Sequence, residues 1–312
     1  MEKIYLGEVD DISSQFLEGS LPKFWINLEG QDYLFKNNFS FNIAKPIEFP
    51  TDVGEVLYSR MRDVLGVPCV QSKFAGYESC GELVDGVLIK SYFQNDYEFS
   101  INYAEMLIDL KMGYSPAIAG NVEKAVDVVK KYAELHNYNI NIRKTHSQLK
   151  QQAILDYFFS QEDRSLSNVG FIASCDKLRI APIFDNGFSL SFANQEDVNK
   201  NILKRLRKGQ DFSDLWTYTR FGLKQFFGLP KDLDALFASQ IAEEANHSRK
   251  TDKLIDKILD IDLQNELSLL EICRGVPLKP IYKKIALALF EHKKQLYLDN
   301  QNHKQIDLEK NF

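Results

Sequence analysis

Asp163 and Asn168 lie five positions apart in Glu162-Asp163-Arg164-Ser165-Leu166-Ser167-Asn168. That is the D-x-x-x-x-N spacing of a phosphotransfer catalytic loop, in which the aspartate receives the acceptor hydroxyl's proton and the asparagine amide oxygen holds magnesium. Seventeen residues beyond Asn168, Asp185 follows Ile183-Phe184 and precedes Asn186-Gly187, where a carboxylate can be aimed at metal-bound phosphates. Either piece recurs by chance, and Asp-Asn-Gly is first of all a turn tripeptide. Their order makes the joint pattern informative, because the hairpin between them returns both ends to one edge of a cleft.

Phosphotransfer also needs a cation on the nucleotide phosphates, oriented by a carboxylate on a neighbouring helix. Lys36, closing the second strand of an aromatic hairpin, is the candidate cation, and Glu55 in the first turn of the next helix is its candidate partner. Glu55 also completes Asp52-x-x-Glu55, a capping box, and the two roles compete for one carboxylate. Gly19 and Ser20, within Glu18-Gly19-Ser20-Leu21-Pro22-Lys23, form the only loop that could lie over phosphates, although Pro22 removes one donor. Ser91 and Phe93, at the end of the last strand of the first half, complete the expected cofactor-binding set. There is no G-x-G-x-x-G and no G-x-x-x-x-G-K-[ST], which disfavours Rossmann and Walker-type sites and conventional eukaryotic-type protein kinases.

The elements that must position these residues change character along the chain. Up to about residue 95 strands prevail: Phe24 to Leu28 and Tyr33 to Phe35 flank a hairpin signal at Glu29-Gly30-Gln31-Asp32, and Val87 to Phe93 forms another strand. Between them a helix opens at Asp52, carries Val53, Val56, Leu57, Met61, Val64 and Leu65 at helical spacing, and stops at Gly66. Beyond residue 100 helices dominate. Asn121 is placed to cap one that buries Val122, Ala125, Val126, Val129, Tyr132 and Ala133, and another carries Leu149, Ala153, Ile154, Tyr157 and Phe158. A single hairpin, Val169 to Ala173 and Leu178 to Phe184 around a turn at Ser174 to Lys177, is expected inside this helical region. Amphipathic helices fill residues 200 to 300, broken at Gly228-Leu229-Pro230 and Gly275-Val276-Pro277. The expected division is a lobe over 1–95 and a second over 96–312.

The 312 residues suffice for two such units, and 44% hydrophobic residues, with 22 Phe and 14 Tyr, supply large cores. A formal charge of -6 argues against nucleic acid or an anionic membrane as the main partner. No apolar run is long enough for a transmembrane segment, and Met1-Glu2-Lys3-Ile4 lacks a secretory pattern, so a cytoplasmic location is expected. Cys69, Cys80, Cys175 and Cys273 show no C-x-x-C and are expected as free, buried thiols.

Taken together, "KFWINLEGQDYLFK", "QEDRSLSNVGFI" and "APIFDNGFSL" resemble the HipA-like serine/threonine protein kinases, bacterial relatives of the phosphoinositide-kinase group. The resemblance implies an α+β, bilobal protein-kinase-like fold with the ATP cleft between a β-rich lobe and a mainly helical one. It also implies ATP and Mg2+ as cofactors, and phosphorylation of protein Ser/Thr hydroxyls. By position in the family motifs Asp163 is the catalytic base, Asn168 and Asp185 are the metal ligands, and Lys36 is the phosphate-binding lysine. Many members phosphorylate their own phosphate-loop serine, which makes Ser20 the autophosphorylation candidate. Export by a signal-peptide-independent route is compatible with the family. One departure is Ser165, two positions after the catalytic aspartate, where the family commonly has His or another polar residue.

Lys200, Lys204, Arg205, Arg207 and Lys208 follow the Asp185 loop and form either a solvated helix face or a dock for an acidic partner or phosphoinositide headgroup. The acceptor stays open, so a phosphoinositide or small-molecule kinase and a non-catalytic nucleotide-binding module are the alternatives.

Overall fold

The computed structural model describes residues 3–8, 23–40, 47–79, 81–95, 97–112, 122–161, 164–210 and 249–310. Alternation of apolar and polar residues builds its first sheet. Strand β1 (Ile4–Glu8) is followed by β2 (Lys23–Leu28) and β3 (Gln31–Asn37), joined by a two-residue turn in which Glu29 and Gly30 both take positive φ, 53° and 79°. A turn of that hand matches the twist of the strands it joins, and it fixes the register, Leu28 opposite Gln31 and Lys23 opposite Lys36. Short strands β4 (Phe39–Ser40) and β5 (Ile47–Glu48) pair with each other and lead into helix α1 (Thr51–Leu65). Strands β6 (Ser72–Ser79) and β7 (Glu82–Lys90) then complete a five-stranded sheet of order β1-β6-β7-β3-β2.

The pleat divides this sheet between two cores. On one face Phe24, Phe35 and Tyr77 gather with ring centroids 5.1 to 5.6 Å apart, beside Ala75 and Leu88. On the other, Phe74, Val87 and Ile89 meet α1, which is buried on nearly all sides through its first three turns. The exception among the expected core positions is Val64, which is 43% exposed.

The start of α1 corrects the expected capping box. No side chain caps it in the usual way at Pro50; Asn38 Oδ1 accepts from Asp52 N at 3.0 Å and from Thr51 Oγ1 at 3.2 Å instead. Asp52 turns to Arg274, whose Nε donates to Oδ2 at 2.7 Å, with both side chains buried. Glu55 is thereby left for another partner. Gly66 ends the helix in the left-handed region at φ 73°, as expected.

The second half is built from β8 (Phe99–Asn102), α2 (Tyr103–Asp109), α3 (Val122–Leu135), β9 (Asn139–Ile140), α4 (Ile142–Phe158), β10 (Gly170–Ser174) and β11 (Lys177–Ile180). Helices α5 (Glu196–Leu206), α6 (Arg249–Leu259), α7 (Leu263–Arg274) and α8 (Pro280–Lys310) follow among the described residues. The apolar residues expected to be buried on α3 and α4 are buried. Asn141, not singled out by its sequence context, caps α4 by accepting from Lys144 N at 2.9 Å, whereas Asn121 lies outside the described residues.

The expected hairpin exists but sits in a four-stranded sheet of order β8-β10-β11-β9, whose flanking strands of four and two residues are too short to give a periodic signal. Its second strand ends at Ile180 rather than Phe184, because Pro182 has no N–H for a ladder; Ile183 instead bridges to Cys69. The largest core joins α1, α4 and α6 to α8, and a smaller one fills the space between α2, α3 and the second sheet. The cysteines described are free, but only Cys69 is buried; Cys175 is exposed in the β10–β11 turn and Cys273 is partly exposed. Among the described residues no helix is long and apolar enough to cross a membrane.

Candidate functional site

Strand alternation sends Phe35 into the aromatic core and Lys36 to the opposite face, where α1 packs. Lys36 lies inside β3 rather than at its end and is 8% exposed. Its Nζ meets Glu55 Oε1 at 3.0 Å and Asp185 Oδ1 at 2.5 Å. Glu55 is completely buried, and its second oxygen accepts the backbone N–H of Asn186 at 3.0 Å. One glutamate therefore orients both the lysine and the loop that carries Asp185. Burial opposes the Lys36 charge, but Asp185 and Glu55 outweigh it and raise its pKa above the ordinary lysine value. For Asp185, burial pushes up while the Lys36 charge and hydrogen bond, with Arg164 and Lys23 beyond, hold the carboxyl below its ordinary value.

Asp185 adopts φ 57°, a conformation that an L residue with a short polar side chain tolerates and most others resist. Two close approaches hold the loop there. A Cβ on Gly54 of α1 would fall 2.7 Å from the Asn186 carbonyl oxygen and 2.9 Å from Ser189 Oγ, so only glycine lets α1 lie against it. Gln161 Nε2 donates to the Asp185 carbonyl at 2.7 Å.

Arg164 is the hub beneath the site, 1% exposed. Its Nε and Nη2 grip Asp156, which also accepts from Tyr58 OH at 3.0 Å, and Nη2 reaches Asn186 Oδ1 at 2.6 Å. Its Nη1 donates to the carbonyls of Phe184 at 2.5 Å and Asn168 at 3.3 Å. The backbones at Asn168 and Phe184 are thus within reach of one nitrogen, which ties the segment carrying Asn168 to the one carrying Asp185. Their donor set fits magnesium: a carboxylate and an amide offer hard oxygens, and this ion commonly takes one or two protein groups with phosphate oxygens and waters completing the shell.

Ser91 and Phe93 lie half-buried just past β7. Ser91 N donates to the Asp32 carbonyl at 2.9 Å, and the Phe93 ring lies tilted against Tyr92 with centroids 5.0 Å apart, the Tyr92 ring in turn lying 6.1 Å from Phe184 beside Asp185. Asp163, Gly19 and Ser20 lie outside the described residues. Of the basic run, Lys200, Lys204, Arg207 and Lys208 line a groove of about 360 Å³ together with Lys284, over an apolar floor of Leu203 and Ile281; Arg205 does not line it.

Sequence reasoning missed Arg164, Asp156 and Tyr58, since a buried guanidinium network leaves no periodic mark. It also missed Lys23, which the hairpin register places opposite Lys36 once the two-residue turn is known.

Neither a protein-family profile nor a curated protein sequence matches the chain. Among solved structures it is similar to the proinflammatory kinase CtkA of Helicobacter pylori, with 15% identity, a TM-score of 0.61, and coverage of 98% of this chain and 99% of that one. HipA of Shewanella oneidensis, solved with HipB and operator DNA, aligns at 14% identity and a TM-score of 0.43 over 92% of this chain and 67% of that one. The likeness to CtkA spans nearly the whole of both chains and shows a kinase-like α+β fold, with a curled sheet in the N-terminal region and a helical C-terminal part. The kinase-like α+β fold expected from the motifs is the fold observed.

Proposed function

We propose that the chain is an ATP- and magnesium-dependent kinase that transfers phosphoryl groups to serine or threonine hydroxyls of proteins, its own included. The observation that carries this reading is the placement of Lys36, which meets Glu55 on α1 and Asp185 beyond β11 at once. A strand lysine oriented by a helix glutamate is how a kinase fixes its cation on nucleotide phosphates.

In this reading residues 1–95 cover the nucleotide, and residues 96–312 supply the catalytic loop and metal ligands. Glu55, free of capping, keeps the Lys36 ammonium aimed. With nucleotide and magnesium bound, Lys36 would contact a phosphate oxygen and Asp185 would serve as a metal ligand. Asp185 and Asn168 hold magnesium, which when bound neutralises charge on the phosphates. Arg164, by fixing the carbonyls of Asn168 and Phe184, sets the two ligands relative to each other. Asp163 accepts the proton of the incoming hydroxyl, Gly19 and Ser20 cover the phosphates, and Ser91 and Phe93 border the nucleotide. The groove on α5, with its five cations, docks an acidic segment of the protein substrate.

Incubation of the pure protein with labelled ATP and magnesium, together with a generic basic protein or phosphoinositide vesicles, tests the reading. Label on protein is expected, with phosphate on Ser20 by mass spectrometry. Label on lipid alone would reassign the chain as a phosphoinositide kinase, and nucleotide binding with no transfer would make it a non-catalytic module.

A further inference from the structure

A cavity of about 580 Å³ opens where the turn after α1, the first three turns of α4 and the start of α6 meet. That volume falls in the range of about 300–1,000 Å³ that small-molecule sites occupy. None of Lys36, Glu55, Asn168 and Asp185 lines it. Arg143 and Lys144 reach it from α4 and Lys250 from α6, and no carboxylate is among the described residues around it. In a chain of formal charge -6, three cations gathered without one acid make a local field that draws anions. Lys250 Nζ donates to Ser147 Oγ at 3.1 Å, which holds α6's cation over α4, while the side chains of Arg143 and Lys144 have no hydrogen bond or ion pair among the described residues.

Two features of α4 set this apart from a solvated charge cluster. Arg143 and Lys144 stand in its first turn, where no acidic residue accompanies them. The N-terminal end of a helix carries partial positive charge, so both cations oppose the helix field instead of complementing it, and an anion in the cavity relieves both repulsions. The second feature is Gln148, which lines the cavity with its Oε1 buried and bonded to nothing among the described residues. An acceptor buried in that way is costly, and the orientation leaves the other end of the amide, the Nε2 donor, as the accessible one. Cations and a donor amide thus converge with no opposing acceptor charge.

We infer that this cavity is a second ligand site, separate from the candidate nucleotide site, for a small phosphorylated molecule. The charge matches, since a phosphate monoester carries roughly -1.5 to -2 near neutral pH and offers three acceptor oxygens to donors arriving from different elements. The volume asks for an organic body beyond the phosphate, resting on Pro68 and the side-chain stems of Gln148 and Gln151. The inference goes beyond the kinase reading and does not depend on it, because binding alone decides it.

The test is calorimetric titration of the full chain with fructose 1,6-bisphosphate, fructose and a phosphoserine peptide. The parent is compared with Arg143→Gln/Lys144→Gln and with Lys204→Gln/Arg207→Gln, which disarms the groove on α5 instead. The parent is expected to bind the bisphosphate at a single site and fructose not at all. Arg143→Gln/Lys144→Gln should lose about 10- to 100-fold in affinity, the usual worth of a charge-assisted hydrogen bond, and the α5 variant should match the parent. Arg143 and Lys144 are exposed, so the fold should be kept, which thermal unfolding checks. Gln148→Glu, which sets a carboxylate in place of the amide at nearly the same volume, should weaken binding as well and gives an independent variant. A parent that binds no bisphosphate at about 1 mM, an affinity unchanged in a folded Arg143→Gln/Lys144→Gln, or a loss confined to the α5 variant overturns the site. Tighter binding of the peptide than of the bisphosphate overturns the small-molecule assignment and makes the cavity a dock for a phosphorylated protein.

Discussion

Arg164 grips Asp156 through two bonds, Nε to Oδ2 at 2.9 Å and Nη2 to Oδ1 at 3.1 Å, with both side chains almost wholly out of water. The remaining nitrogen of the same guanidinium holds the carbonyl immediately before Asp185. A stabilising network and the candidate site therefore share one side chain. Substituting Arg164→Lys keeps the charge but loses the planar fork, leaving Asp156 under-bonded in the core. Urea unfolding should show a loss of about 1–3 kcal/mol, the scale for leaving a buried acceptor unsatisfied. Nucleotide affinity measured on the folded fraction should fall as well, and an unchanged affinity would confine Arg164 to stability.

Gly54→Ala places a methyl group against the Asn186 carbonyl and Ser189 Oγ. Overpacking of this kind costs about 1–3 kcal/mol. The obstacle is backbone, so the loop bearing Asp185 has to shift, and phosphotransfer should fall further than the stability loss explains. Parental turnover in a folded Gly54→Ala would show that the loop tolerates displacement.

Acid should uncouple Asp185 from Lys36. The folded-state pKa of Asp185 is held below its ordinary value, so the pairing stabilises above the usual carboxylate range and is lost as pH falls through the lower, folded value. Asp185→Asn has nothing to titrate there. The stability gap between parent and Asp185→Asn should be open near pH 7 and narrow only as pH falls below the usual carboxylate range, which urea midpoints across that range will show. The comparison with the variant is needed because Asp52 and Asp156, whose pKa values burial raises, respond to pH in the opposite sense.

Asp163→Asn should bind ATP nearly as the parent does and lose about 10² to 10⁴ in transfer rate, the usual worth of a general base. Binding and single-turnover rate measured on one preparation separate the two effects. A matching fall in ATP affinity would mean that Asp163 holds the nucleotide rather than the acceptor proton.

What the sequence made legible follows range of interaction. The β2–β3 hairpin was readable because Glu29-Gly30 supplies its turn locally, and α3 because its apolar spacing needs no partner to be seen. Lys36 and Glu55, 19 positions apart, were matched by chemical reasoning about what a phosphate-binding lysine requires, and the structure places them in contact. Asp52-x-x-Glu55 misled as a capping box because Asn38 caps the helix from outside and Arg274 claims Asp52. Strands β8 and β9 left no mark at four and two residues. Arg164 reads locally as one more charge beside Asp163; its burial is a property of Asp156, Phe184 and Asn186 arriving around it.

The bond between Asp52 and Arg274 spans 222 positions of chain. At a synthesis rate of about 5–20 residues per second, Asp52 leaves the ribosome roughly 10–45 s before its partner. A buried carboxylate without a counter-charge is costly, so α1 cannot settle against the sheet in that interval, and Glu55 on the same helix cannot yet aim Lys36. The nascent chain thus carries Lys36, Glu55 and Asp185 for many seconds without joining them. Arrested chains ending before Arg274 should bind no nucleotide, which nucleotide-affinity capture of stalled chains of increasing length will check.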